Sequence, residues 1–326
     1  MNDRTDYKNL PKAELHAHFN GCVPPEAIHQ LIQKYGVQIP DGYSLPDDLM
    51  LLKPVSTLID YFRPWFVFKR LPVGQDCLDQ MFLTASQALV ADGVRYAELR
   101  NSPFNIAEIN NISLERTVEW MLESAMKASE KSGIDLRLII SLSRYKFDLA
   151  RANSLLSAIA KASYRRKIVA LDLSGDEDEP ICGDVSALFQ RAKQDLGLGV
   201  TIHAGETGNA DNVRWAVEAC HADRVGHGLA ASTDPDMLEL LRSRNVCVEV
   251  CLHSNLITGR LNSLESHPVH SFIEASVPFV LCTDNPQVHR VTLSEEYRLF
   301  VSATGRHDLI ETMYDTQMAY AFDEAA

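Results

Sequence analysis

The run Pro11-Lys12-Ala13-Glu14-Leu15-His16-Ala17-His18-Phe19-Asn20-Gly21 decides how the rest of the chain is read. In an extended strand side chains alternate faces with a period of two. His16 and His18 are therefore expected on one face, with Leu15, Ala17 and Phe19 on the other. Two imidazoles on one strand face can share a metal ion through neutral ring nitrogens. Gly21 permits a tight turn, and Pro24-Pro25 suit a helix start. The pair is thus placed at the end of a strand, where a site can open.

Working outward, short apolar strands alternate with longer helical patterns. A helix is expected from about Pro25, with Ile28, Leu31 and Ile32 on one face, stopping at Gly36. The Pro-rich segment 37–75, with Tyr61, Phe62, Trp65, Phe66 and Phe68, is too long for a simple connection. It reads either as an extra helical lid over a site or as added core. Strands are expected at 13–19, 94–100, 136–142, 168–173, 199–202, 224–228, 246–251 and 279–282. A helix over 114–131 repeats apolar residues at Val118, Met121, Leu122, Ala125 and Met126, one buried stripe ending at Gly133. Eight strands with helices between them predict a parallel sheet closed as a (β/α)8 TIM barrel, one α/β domain over residues 1–326, with 37–75 as an insertion. An open doubly wound sheet would need a Gly-rich phosphate turn after the first strand, and none is present.

The chain has 326 residues, 46% hydrophobic and 23% charged, the composition of a globular protein. Its net charge of −13 argues against nucleic acid and anionic membrane surfaces as partners. The polar start Met1-Asn2-Asp3-Arg4-Thr5-Asp6 lacks a signal-peptide core. Seven dispersed cysteines without a Cys-x-x-Cys pair fit a reduced, cytoplasmic protein with free thiols.

The polar residues His16, His18, Gly175, His203, Glu206, His227 and Asp284 fall at strand C-termini, the face that carries the chemistry of such barrels. His16, His18 and His203 offer three nitrogens and Asp284 a carboxylate oxygen, a donor set that suits one zinc ion with a position left for water. The first and eighth strands of a closed barrel are neighbours, so residues 16–18 can meet residue 284. Glu206, three residues after His203, can carry a proton between water and the group attacked. His227, between two glycines, is read as orienting the attacking water. Arg100 and Arg144 either contact a ligand or form buried ion pairs. Asp176-Glu177-Asp178-Glu179 reads as a solvated loop, His267-Pro268-Val269-His270 as a helix start, and Cys251 and Cys282 as packed thiols.

These residues resemble the adenosine/adenine deaminases of the amidohydrolase superfamily. The matching runs are Leu-Pro-Lys-Ala-Glu-Leu-His-Ala-His-Phe-Asn-Gly (10–21), Leu-Asp-Leu-Ser-Gly-Asp-Glu (171–177), His-Ala-Gly-Glu (203–206), Arg-Val-Gly-His-Gly (224–228), Cys-Leu-His-Ser-Asn (251–255) and Cys-Thr-Asp-Asn-Pro (282–286). The resemblance implies a mononuclear zinc barrel that removes the 6-amino group of an adenine ring by hydrolysis. It implies His16, His18, His203 and Asp284 as metal ligands, Glu206 as the acid that protonates ring N1, and His227 as the water-orienting residue. It further implies the backbone amide of Gly175 at ring N3. At two positions the chain departs from the family's usual Asp. Asn20 faces the ribose side and Asn285 faces ring N7, where a neutral amide can still donate. The change at position 20 resembles the branch acting on N6-methylated AMP, and relatives acting on modified futalosine nucleosides are a third option. Different readings of the same residues are a two-metal lactonase or phosphotriesterase-like barrel, and a purine-binding protein without catalysis.

Overall fold

The structure is a computed structural model, described here for residues 7–179, 181 and 183–322. Eight strands, β1 (Lys12–His18), β2 (Val94–Asn101), β3 (Asp135–Ser143), β4 (Ile168–Ser174), β5 (Gly199–Ala204), β6 (Arg224–His227), β7 (Cys247–Val250) and β8 (Phe279–Leu281), lie in one sheet in sequence order. Every neighbouring pair is parallel. The sheet closes between its first and last strands through a parallel bridge of Ala17 with Asp284. Two hydrogen bonds of 2.8 Å make that seam: His18 N–H donates to the Asp284 carbonyl, and Asp284 N–H donates to that of His16. The backbone that closes the barrel therefore belongs to three of the predicted metal ligands. Helices between the strands cover the outside, which is the expected (β/α)8 barrel. Among the described residues no helix is long and apolar enough to cross a membrane.

Local sequence explains the elements that flank the site. Pro25 opens the helix Pro25–Tyr35, Gly36 ends it in the left-handed conformation, and Ile28, Leu31 and Ile32 are buried. The helix Leu114–Ser132 is capped by Ser113 and ends at left-handed Gly133, with Val118, Met121, Leu122 and Ala125 buried as expected. Met126 is only half-buried, and Ala128 continues the stripe instead.

β1 departs from strict alternation. Its register against β2 shifts between Glu14 and Ala17. Ala17 and Phe19 pack in the main core, whereas Leu15 joins a second cluster with Tyr96, Cys247 and Val280. A bulge of this kind re-aims side chains on either side of it, so Leu15 does not share a face with Ala17 and Phe19.

The barrel interior holds charge as well as hydrocarbon. Glu98, Arg100, Asp172, Arg224 and Glu249 are all buried, and opposite signs meet. Arg224 pairs with Glu98 at 2.6 Å and with Glu249 at 2.8 Å, while Arg100 pairs with Glu249 at 3.0 Å and Asp172 at 3.4 Å. The segment 37–75 folds into short helices and turns rather than one long helix. Val67 and Phe68 are core residues. Backbone bonds from Leu51 to Val288 and from Val55 to Ile257 fasten the segment to the chain that follows β8 and β7.

Candidate active site

The site is assembled at the C-terminal ends of the strands. His16 and His18 end β1, His203 lies near the end of β5, and Asp284 follows β8. The ligand atoms of His16, His18 and His203 all lie within 4.8 Å of one another. Asp284 Oδ1 is 3.3 Å from His18 Nε2 and 3.7 Å from His16 Nε2. Thus residues separated by most of the chain converge as the spacing argument required.

Carboxylates behind two of the imidazoles set which nitrogen faces inward. His16 Nδ1 lies 2.5 Å from Glu249 Oε2, and His203 Nδ1 lies 2.9 Å from Asp172 Oδ1. A ring that donates its Nδ1 proton to a carboxylate presents the Nε2 lone pair, the arrangement that orients metal-binding histidines. The Nε2 of His16 is buried without a hydrogen-bond partner among the described residues. His18 Nε2 and His203 Nε2 stand 3.2 Å apart. Three nitrogens converging on one point with a carboxylate beside them fit a zinc ion with an open coordination position.

Electrostatics favour the ligand forms of His18 and Asp284, while at His203 burial is outweighed by the Asp172 carboxylate, which raises the pKa. Burial depresses the His18 pKa to about 3, leaving the ring neutral. Burial pushes the Asp284 carboxyl up, but the imidazoles of His16 and His18 beside it outweigh this and hold it well below the usual range. Ser254 Oγ donates to the other carboxylate oxygen, Asp284 Oδ2, at 2.6 Å.

Glu206 and His227 face each other across this cluster, with Glu206 Oε1 3.7 Å from His227 Nε2. The His227 ring centroid is 5.0 Å from that of His16 and 5.4 Å from that of His203. Gly226 is required here, because a Cβ at that position would stand 3.0 Å from His16 Cε1. Burial raises the Glu206 pKa, with the neighbouring His203 charge opposing it, and so favours the protonated form that an acid must have.

Gly175 sits just beyond β4 with φ +101°, a conformation that side chains resist. Asn20 follows His18 by two residues and is half-buried. Asn285 is buried, and both of its amide hydrogens are engaged: Nδ2 lies 2.8 Å from Asp284 Oδ1 and 3.2 Å from the Tyr61 hydroxyl. Gly21 leaves room for this side chain, since a Cβ there would collide with it. Tyr61, from the segment 37–75, accepts from Asn285 and stacks on Trp65 with centroids 5.1 Å apart.

The structure corrects one reading of the sequence. Glu177 does not belong to a solvated loop: it is 9% exposed and accepts from Gly205 N and Glu206 N, each at 2.7 Å, and from Asn212 Nδ2 at 2.8 Å. The backbone amides next to the candidate acid need an acceptor, and Glu177 supplies it. Arg144 contacts the same turn, donating from Nη2 to the His203 carbonyl at 2.9 Å. Arg100 resolves as a buried ion pair, and Cys251 and Cys282 are buried free thiols. The sequence reading passed over Asp172, Glu249, Ser254 and Asn255. A signal existed for the two acids, because each is a lone charge within an apolar strand, Ile-Val-Ala-Leu-Asp-Leu-Ser and Cys-Val-Glu-Val.

Comparison with known proteins decides the family. The adenosine deaminase family model matches residues 11–316. The chain belongs to the adenosine deaminase family. Its adenosine deaminase relative from Photorhabdus laumondii is 32% identical over 301 residues, covering 91% of this chain and 88% of that protein. Among solved structures, an amidohydrolase from Burkholderia ambifaria with bound Zn has a TM-score of 0.84 at 24% identity, covering 98% of this chain and 87% of the other. The N6-mAMP deaminase of Arabidopsis has a TM-score of 0.81 at 25% identity, covering 98% and 95%. As a member of the adenosine deaminase family this protein is a hydrolytic deaminase.

Proposed function

We propose that the protein is a zinc-dependent aminohydrolase that converts the 6-amino group of an adenosine-like purine nucleoside into the 6-oxo group, consuming water and releasing ammonia. The observation that carries this reading is the pairing of Glu206 and His227, 3.7 Å apart, facing three convergent histidines and Asp284. His16, His18, His203 and Asp284 would hold one zinc per chain. When bound, zinc supplies an activated water at neutral pH.

The chain's own residues do the rest. Protonated Glu206 donates to ring N1, which draws electron density from C6 and opens it to attack. His227 holds the attacking water against the C6 face. The Gly175 amide meets N3, and Asn285 faces N7. Because its two N–H groups lie on Asp284 and Tyr61, a purine N7 must displace the Tyr61 hydroxyl to be met. Asn20 faces the sugar. A second reading, action on an N6-methylated adenine nucleotide, is favoured by the same Asn20, which brings no negative charge to the sugar side and so tolerates a phosphate. The likeness to the Arabidopsis N6-mAMP deaminase supports it.

An assay of 6-oxopurine formation, with release of ammonia or, from N6-methyl-AMP, of methylamine, on zinc-loaded protein with adenine, adenosine, AMP, N6-methyl-AMP and aminodeoxyfutalosine tests the reading. Release from a 6-aminopurine supports it; silence on all five with zinc bound overturns it. Glu206→Gln should keep its zinc and lose roughly 10²–10⁴-fold in kcat, the usual share of a positioned acid. Full turnover in that variant removes Glu206 from its role.

A further inference from the structure

We infer that His227 acts as a hydrogen-bond donor through Nε2–H, and that Asn255 and His267 are positioning residues that fix this tautomer from a backbone amide. The inference deepens the role given to His227 in the proposed deamination and rests on that reading only for what the N–H does.

The assignment starts from a group with no freedom. The backbone N–H of Val269 can only donate, and it lies 3.0 Å from His267 Nδ1. That nitrogen must accept, so the one proton on the His267 ring sits on Nε2. His267 Nε2 is 3.2 Å from the Asn255 side-chain oxygen. Its N–H requires an acceptor there, which fixes the Asn255 amide with Oδ1 toward His267. The amide nitrogen then faces the other way, and Asn255 Nδ2 lies 3.1 Å from His227 Nδ1. An amide N–H also only donates. His227 Nδ1 therefore carries a lone pair, and the ring proton is on Nε2, the atom 3.7 Å from Glu206 Oε1.

The chain of bonds is closed to solvent. Asn255 is 0%, His267 1% and His227 2% exposed, so no water competes for these positions. A buried polar group left unpaired is costly, which penalises reversing any one link. The burial that depresses the His227 and His267 pKa values agrees with neutral rings.

The consequence is chemical. A ring with Nε2–H toward the reacting water offers that water a donor and has no lone pair there to take its proton. His227 can hold the water oxygen and stabilise negative charge on it, while the proton given up by the water goes to another acceptor within reach, the Glu206 carboxylate once it has protonated N1. The protons then balance: the Glu206 proton goes to N1, the water proton goes to Glu206 and from there to the departing amino group, and the proton on the C6 hydroxyl returns to Glu206 as the 6-oxo group forms.

The test reads the tautomer directly. Zinc-loaded protein labelled with [15N]histidine is examined by NMR at pH 7, where the ring nitrogen shifts distinguish protonated from bare nitrogens. The His227 and His267 signals are assigned by their loss in His227→Gln and His267→Gln. The expected pattern is protonated Nε2 and bare Nδ1 at both rings. A bare Nε2 at His227, or a doubly protonated ring, overturns the proposal. In Asn255→Asp the carboxylate still accepts from His267 but cannot donate to His227. His227 Nδ1 should then gain a proton, with kcat falling roughly 10²-fold, KM changing less than about threefold, and one zinc per chain retained. An unchanged His227 spectrum with full kcat in that variant also overturns it. If Asn255→Asp does not fold, the wild-type spectrum decides alone. Because the spectrum needs no turnover, wild-type protein silent on every purine would defeat the deaminase reading and leave the tautomer chain to stand or fall separately.

Discussion

A histidine ring has two nitrogens, and what sits behind one determines what the other can do. Glu249 and Asp172 stand behind His16 and His203, and Arg100 bridges those two carboxylates within hydrogen-bonding range of both. The bridge explains why both acids stay ionised although buried: burial pushes each up, and the Arg100 charge, with Arg224 acting on Glu249 and His203 on Asp172, pulls each back below its usual range. Removing charge behind a metal-facing ring weakens its basicity and loosens its orientation. Asp172→Asn should therefore weaken zinc binding about 10–100-fold, measured by competition with a chelator. Arg100 keeps Glu249 in this variant, so the metal-free protein should still unfold cooperatively. Undiminished zinc affinity would show that the Asp172 contact does not orient His203.

At the scale of elements, the candidate acid rides on a turn held by two charged side chains. The turn after β5 has its carbonyl at His203 held by Arg144 and its amides at Gly205 and Glu206 held by Glu177. Glu177 comes from the loop after β4, the loop that also carries Gly175. The group expected at N3 and the group expected at N1 are thereby tied together through one buried carboxylate. A glutamine at 177 has one oxygen to offer and turns a donor toward a donor. Glu177→Gln should raise hydrogen-exchange rates at the Gly205 and Glu206 amides about tenfold or more, equivalent to losing about 1.4 kcal/mol of protection. Its kcat should fall by about the same factor, with zinc content unchanged. Exchange rates equal to wild type would mean that the turn holds without Glu177.

For the whole molecule, the buried ionisable groups set how stability varies with pH. Burial depresses His18 to about 3, His267 to about 3 and His289 to about 4, each from 6.5. The unfolded chain binds protons that these folded rings refuse, so their contribution is complete above pH 6.5 and is lost as pH falls below it. Glu14 has the opposite sign. Burial raises it from 4.5 to about 8 against bonds from Thr283 and His16, so its contribution is complete below pH 4.5 and is lost as pH rises through 8. Each independent group changes stability by about 1.4 kcal/mol per pH unit inside its window. His227 and His253 are depressed like these histidines, and Glu177, Glu206 and Glu296 are raised like Glu14, so histidine losses act below pH 6.5 and glutamate losses above pH 4.5. Chelator-treated protein should therefore lose Tm as pH rises from 6.5 to 8 and again as it falls below pH 4.5. A maximum above pH 8 would contradict these assignments.

The sequence by itself determined the eight strands, the barrel they close into, and the titratable residues that meet at the C-terminal ends of its strands. Strand and helix periodicities are local, and histidines, acids and glycines at strand ends are visible in one dimension. β1 is irregular between Glu14 and Ala17, a stretch that includes His16, yet the ligand atoms of His16 and His18 still come together with that of His203. Tertiary structure alone decided what stands behind those residues. Glu249 reaches His16 across 233 positions and Arg224 reaches Glu98 across 126, separations at which no spacing rule operates. Glu177 looked like one of four solvated acids because composition cannot show that two backbone amides of a neighbouring turn lie waiting for it. The direction in which His227 donates was likewise settled through three buried side chains and a backbone N–H, since a proton's place on a ring depends on its partners in space and not on its neighbours in the chain.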